Sequence, residues 1–185
     1  MPIVFYILYA LFGLSEIGIS RLLRSNAAEQ KADQNSLLLL WVVIVASLTA
    51  AVWVSFTVYQ PIDAAGRVPY IGLVLMGIGM ALRWMVIRAL GRLFTADVAI
   101  RENHALKTDG LYRWVRHPSY AALALVFLGF GLSLNNWISL VLVMVPVVPA
   151  LLYRIRVEEA ALTAHFGAAY EAYKARTKAL IPGVI

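Results

Sequence analysis

The sequence predicts an all-α integral membrane protein of about five transmembrane helices, on three observations. Hydrophobic residues make up 62% of its 185 residues and charged residues only 14%, against roughly 25% charged in a soluble domain. The mean hydropathy of +0.78 leaves too little polar surface to cover a water-soluble globule of this size. Finally, the apolar residues gather into five stretches of about the length that crosses a bilayer, leaving one modest polar region.

The first stretch, Pro2–Leu22, has no basic residue before Arg21. It is too long for a signal-peptide core and lacks a small-residue cleavage site, so it reads as a retained span. Leu37–Tyr59 and Val68–Ala89 follow, both long enough to cross unaided. Glu16 and Arg83 each lie about six residues from the same-side end of a span. A charge at that depth is costly unless paired or snorkelling. The expectation is a pair between spans one and three, with simple snorkelling of Arg83 as the alternative. Ser119–Leu134 and Trp137–Tyr153 are shorter and meet at the turn pair Asn135-Asn136, which predicts a tight helical hairpin. Pro146 and Pro149 are expected to kink the last span, since each removes a backbone donor and crowds the preceding turn. Gly77-x-Gly79 and Gly129-x-Gly131 sit inside apolar helices with no strand before them. They read as close-packing positions rather than a dinucleotide fingerprint.

Basic residues set the orientation. Three stretches follow spans one, three and five: Arg21 to Lys31, Arg88 to Arg116, and Arg154 to Lys178. Together they carry fourteen of the sixteen basic residues. With five crossings these share one face, which predicts the N-terminus outside and the C-terminus in the cytoplasm. A single membrane-embedded domain, 1–185, is expected. Residues 1–89 are three N-terminal spans, and 90–185 hold a polar loop, the hairpin and a cytoplasmic tail. The net charge of +6 belongs to this orientation pattern and not to a nucleic-acid partner. The absence of cysteine excludes a disulfide scaffold, zinc–thiolate and iron–sulfur sites, and a cysteine nucleophile. His165 has no second ligand at metal spacing, so no metal is expected and it reads as an exposed or capping histidine.

Water-requiring chemistry is confined to the polar loop, about Leu90–Pro118, and the tail. The loop carries His104-Ala105-Leu106-Lys107, Gly110-Leu111-Tyr112 and Arg116-His117-Pro118-Ser119-Tyr120. Pro118 suits the first turn of a helix. The free amides there, with His117 and Ser119 beside them, offer a seat for an anionic group. The competing reading is a basic, aromatic loop that anchors at the headgroups. In the tail, Arg154 and Glu158 are four apart, so on a helix continuing the fifth span they share a face. Leu162, Phe166 and Tyr170 extend it, as in an amphipathic helix. An ordinary surface ion pair would account for Arg154 and Glu158 equally well.

Taken together, these segments resemble the isoprenylcysteine carboxyl methyltransferase family, which shares features with membrane phospholipid methyltransferases. The resemblance runs from about Leu90 to Pro182. It rests on His104-x-Leu106, Gly110-x-Tyr112, Arg116-His117-Pro118-x-Tyr120, Glu158-Glu159, Phe166-Gly167-x-x-Tyr170-x-x-Tyr173 and Ile181-Pro182. Each motif is weak alone; six in order, around a hairpin of the right length, are specific. The resemblance implies an S-adenosylmethionine-dependent enzyme whose cofactor lies between the loop and the helix after the hairpin. It places His104, Ala105, Leu106, Lys107, Tyr112, His117, Pro118, Ser119, Tyr120 and Glu158 at the cofactor and Arg154 at the methyl acceptor. The chain resembles the short prokaryotic members, which implies an inner or plasma membrane. One departure is Ala122, where the family usually has glycine.

Those roles fit the chemistry. A carboxylate such as Glu158 stabilises the cofactor's cationic groups, and tyrosine rings can stack on adenine or face the sulfonium. A carboxylate acceptor is ionised at neutral pH and needs placement and dehydration rather than a base, with Arg154 as its partner. The expected function is carboxyl methylation of a hydrophobic, prenylated cysteine-like acceptor that enters from the bilayer. Methylation of a small thiol or lipid amine is the alternative within the enzyme class, with His117 or Glu159 as base. A non-catalytic membrane sensor or assembly subunit is the alternative outside it. The sequence leaves the oligomeric state open.

Overall fold

The computed structural model describes residues 3–22, 30–31, 35–91, 99–100, 106–181 and 183. Its helices are α1 (Ile3–Leu22), α2 (Ser36–Thr57), α3 (Val68–Leu90), α4 (Pro118–Ser133), α5 (Trp137–Phe166) and α6 (Ala168–Arg176). A 3-10 turn covers Gly110–Arg113. One feature was not anticipated: Gln30–Lys31 (β1) pairs antiparallel with Ala99–Ile100 (β2), Gln30 opposite Ile100. Among the described residues, α2, α3 and α5 are long and apolar enough to cross a membrane. α4, at 16 residues, is apolar but shorter than the ~20 that a bilayer core requires.

Helix starts follow local chemistry. Pro118 opens α4, and α3 has Pro69 in its first turn, where a missing amide hydrogen costs nothing. Asn136 caps α5, its side chain accepting from the Ser139 amide at 3.0 Å. The Asn135-Asn136 pair does more than turn the chain. Asn135 exchanges side-chain bonds with the Asp63 amide and carbonyl, at 3.1 and 2.9 Å. Asn136 Nδ2 donates to the Val58 carbonyl at 2.6 Å. The connection between α4 and α5 is thereby stitched to the one between α2 and α3.

In the packed helices, α3 lies on α4, α2 on α5, and α4 on α5. Their shared core includes Phe12, Ile44, Ala51, Met76, Val126, Phe127, Val143 and Leu151. Other apolar side chains, such as Val42, Trp53, Phe56, Val74 and Val145, point outward. An apolar exterior over an apolar core is what a lipid-facing bundle requires. The closest approach is glycine on glycine. A Cβ at Gly129 would sit 2.5 Å from the Gly72 oxygen and the Met76 nitrogen. Gly79 faces Ala122 and Val126 just as tightly, so at this crossing the missing side chain belongs to α3. Gly77, grouped with Gly79 from the sequence, has nothing within 4 Å of its Cβ position.

One tail expectation holds and one changes. α5 continues past the apolar stretch to Phe166, as the shared face of Arg154 and Glu158 implied, and runs through Pro146 and Pro149. Both prolines lie on its exposed side, so the lost donors fall outward while Val143, Val147 and Leu151 stay packed. The amphipathic face does not reach Tyr170 on the same helix. Gly167, at φ 54°, ends α5 and starts α6, so Tyr170 turns back toward the bundle.

Candidate active site

The predicted site residues converge where α4 begins and α5 leaves its apolar stretch. The chain beyond α6 is strapped to the segment before α4: the Arg116 amide donates to the Lys178 carbonyl at 2.8 Å and the His117 amide to the Ala179 carbonyl at 2.9 Å. Arg116 tightens the strap from the other side. Its Nε donates to Glu159 Oε1 at 2.8 Å, and its Nη1 reaches the Lys174 and Thr177 carbonyls. Tyr173 Oη donates to the Tyr112 carbonyl at 2.6 Å, fixing α6 against the 3-10 turn.

Inside this strap lies a carboxylate–aromatic cluster. His117, the residue just before α4, is 4% exposed, with Nε2 at 3.3 Å from Glu159 Oε1 and Nδ1 at 3.9 Å from Glu158 Oε1. Tyr120 Oη donates to Glu158 Oε2 at 2.8 Å, and the His117 and Tyr120 rings lie 5.7 Å apart. Burial, then the Glu158 charge, push the Tyr112 hydroxyl well above its ordinary pKa. Burial, then the Glu159 and Glu158 charges, do the same to Tyr170. Burial also raises Tyr173, to about 12, with Arg116 and Arg176 opposing. All three are neutral phenols at physiological pH. The Tyr170 hydroxyl is fully buried and, among the described residues, has no hydrogen-bond partner.

Beside the start of α4, where the sequence suggested a seat for an anionic group, stand two anionic groups of the protein's own, Glu158 and Glu159. Ser119 faces away from them: Arg83 Nη1 donates to its Oγ at 2.7 Å and to its carbonyl at 3.3 Å. The same guanidinium holds Glu16 as a fork, at 2.6 and 2.9 Å, so the expected pairing of spans one and three is present, and it also anchors α4.

Arg154 is 1% exposed and lies on the apolar side of the cluster. Its Nε donates to Tyr120 Oη at 3.2 Å and its Nη1 to Ser36 Oγ at 2.6 Å. Arg154 and Glu158 are thus joined through Tyr120 rather than forming a solvated surface pair. Among the predicted site residues, the fold gathers Tyr112, His117, Pro118, Ser119, Tyr120, Arg154 and Glu158. Lys107 pairs at the surface with Asp109, at 2.9 Å, and Leu106 is half-buried. His104 and Ala105 lie outside the described residues. Sequence reasoning assigned no role to Arg116, Tyr170 or Ser36. The first two stood inside quoted motifs; Ser36 carried no signal.

Together these features define an integral membrane bundle that holds an acidic, aromatic site at one end. The model of the isoprenylcysteine carboxyl methyltransferase (ICMT) family matches residues 70–164, about half of the chain, and the chain belongs to that family. It is 36% identical over 107 residues to the protein-S-isoprenylcysteine O-methyltransferase of Schizosaccharomyces pombe, covering 57% of this chain and 45% of that one. It is 36% identical over 115 residues to protein-S-isoprenylcysteine O-methyltransferase B of Arabidopsis thaliana, covering 61% and 58%. The chain thus spans about half the length of these relatives. Its fold matches a solved structure of the eukaryotic intramembrane Ras methyltransferase ICMT with a TM-score of 0.71 and 23% identity. That match covers 97% of this chain and 65% of the other.

Proposed function

We propose that this chain is a membrane methyltransferase that uses S-adenosylmethionine to esterify the carboxylate of a prenylated cysteine. The observation that carries this reading is the series Glu158–Tyr120–Arg154, which joins a carboxylate and a guanidinium through one phenol hydroxyl. Family membership and the names of its relatives support it.

The residues present fit the cofactor. Its sulfonium and ammonium are cations, and the cluster offers Glu158 and Glu159 with the rings of Tyr112, Tyr120 and His117 around them. The buried Tyr170 hydroxyl, without a partner, is a polar atom that a bound nucleoside can satisfy. When bound, the cofactor supplies an electrophilic methyl group; a carboxylate oxygen accepts it, and the carbon–sulfur electron pair stays on sulfur. Glu158 holds the cationic end, and Tyr120, fixed between Glu158 and Arg154, spaces the two substrates. Arg154 orients the acceptor carboxylate where few waters compete. Because Arg154 is covered here, the acceptor must part the side chains over it, and the lipid tail arrives through the bilayer. Glu159 is committed to Arg116 and His117, which makes it a poor base and favours an acceptor already ionised. In the five-crossing arrangement read from the sequence, the cluster and both helix ends that carry it face the cytoplasm, on the basic side.

The test is methyl transfer from labelled S-adenosylmethionine by detergent-purified protein to a small S-prenylated cysteine with a free carboxylate. Arg154→Met is expected to lower turnover at least a hundredfold while S-adenosylhomocysteine affinity stays within a few-fold. Arg154→Lys should recover only part, because an ammonium lacks the planar fork. An Arg154→Met protein that methylates the carboxylate at near wild-type rate overturns the mechanism.

A further inference from the structure

The guanidinium assigned to the acceptor is not positioned by the family-matched half of the chain alone. Arg154 is held at two nitrogens by hydroxyls from two different helices: Tyr120 on α4 takes Nε, and Ser36 at the start of α2 takes Nη1. The Ser36 contact is the shorter of the two, 2.6 Å against 3.2 Å. Ser36 and Arg154 are each 1% exposed, so water does not compete for this bond. Ser36 precedes the residues that match the family model, 70–164, by more than thirty positions. It is brought to Arg154 because α2 packs along α5.

A guanidinium is planar, so fixing two of its three nitrogens fixes the plane as well as the position. Ser36 adds a second point of hold to the one at Tyr120, on a different nitrogen and from a different helix. A neutral hydroxyl does this without cancelling the positive charge that an anionic acceptor needs. A carboxylate at the same position would compete with the acceptor.

We propose that Ser36 is a positioning residue for the methyl acceptor, acting through Arg154, so that α2 contributes to acceptor recognition and is more than a membrane anchor. The inference rests on the carboxyl methyltransferase reading above. Losing Ser36 leaves the cofactor side, built from α4, α5 and α6, intact. Its effect falls on the acceptor.

The experiment compares wild type, Ser36→Ala, Ser36→Thr and Arg154→Lys, with Ser36→Ala also made in the Arg154→Lys background. Each is assayed with the S-prenylated cysteine carboxylate for KM and kcat and with S-adenosylhomocysteine for affinity; thermal midpoints are read in detergent. Ser36→Ala is expected to raise the acceptor KM about tenfold, with S-adenosylhomocysteine affinity within twofold and an unchanged midpoint. Ser36→Thr, which keeps the hydroxyl, should restore most of that loss. In the Arg154→Lys background, Ser36→Ala should add less than twofold, because the fork it holds is already gone. An acceptor KM within twofold of wild type in Ser36→Ala overturns the inference while leaving the function standing. So does a loss shared equally by cofactor affinity and thermal midpoint, or full additivity with Arg154→Lys. A wild-type protein that binds S-adenosylhomocysteine but leaves the carboxylate unmethylated overturns the function, and this inference with it.

Discussion

A buried polar atom ordinarily finds a partner, and among the described residues the Tyr170 hydroxyl has none. It stands near Glu158 and Glu159, whose charges oppose its ionisation, so it stays a phenol with an unused donor. Leaving such a group unpaired costs about 1–3 kcal/mol. Tyr170→Phe removes the hydroxyl and keeps the ring that packs against Tyr173. The substitution should therefore stabilise the cofactor-free protein by about 1 kcal/mol. With saturating S-adenosylhomocysteine the gain should shrink or reverse, since the wild-type hydroxyl then has a partner. Thermal unfolding in detergent, with and without that compound, reads both. A Tyr170→Phe protein destabilised without ligand would contradict the unpaired hydroxyl. The same scale shows the limit of motif reading: Glu158 and Glu159 are adjacent in sequence, yet one shares a hydrogen bond with Tyr120 and the other serves the Arg116 strap.

Between elements, the decisive contact is α3 on α4. Two glycines two residues apart along α4 look no different in sequence from two along α3, and the sequence treats Gly77, Gly79, Gly129 and Gly131 alike. The fold separates them. At Gly129 an added Cβ meets the α3 backbone, which cannot move aside as a flexible side chain can. Gly129→Ala should then cost about 3 kcal/mol, the upper part of the range for overpacking. Gly77→Ala meets nothing and should be neutral or stabilise by up to about 1 kcal/mol, because alanine is the better helix former. Reversible unfolding of both variants in mixed detergent checks the contrast; equal costs would mean that helix propensity, not contact, governs this interface. α4 carries Tyr120 and follows directly on His117, so separating it from α3 would also displace the site.

For the whole molecule, the question is which way the bundle faces. The Arg83–Glu16 fork is buried beneath the start of α4, and the carboxylate–aromatic cluster lies just beyond. One end of the bundle therefore holds the polar chemistry, and fourteen of sixteen basic residues flank that end in the five-crossing arrangement. A reporter fused after Ile185 is expected to be cytoplasmic, and one inserted between Gln60 and Arg67 to lie on the opposite side. Paired alkaline phosphatase and fluorescent-protein fusions read this directly. Both positions on one side would discard the five-crossing arrangement, including the crossing by the short helix α4.

How much of this was written in the sequence depends on range. Apolar run length determined the helical membrane character and four of the five apolar boundaries to within a residue or two, because hydrophobic length is a local property. The fifth apolar run ends at Tyr153, but its helix continues to Phe166, as the four-residue spacing of Arg154 and Glu158 implied, because Arg154, Arg156, Glu158 and Glu159 are good helix formers that apolar counting discards. The motif order located most of the cluster, since His117, Tyr120 and Glu158 keep their local spacing. The depth of Glu16 and Arg83 predicted their pairing, because an unpartnered charge in hydrocarbon is too costly to leave. Only the tertiary structure decided that Arg154 reaches Glu158 through Tyr120, that Ser36 holds its other end, and that Arg116 straps the tail beneath His117. Those contacts join residues from 34 to 118 positions apart. No periodicity or spacing in a single chain encodes such a distance; the packing of α2 on α5 and of α4 on α5 creates it.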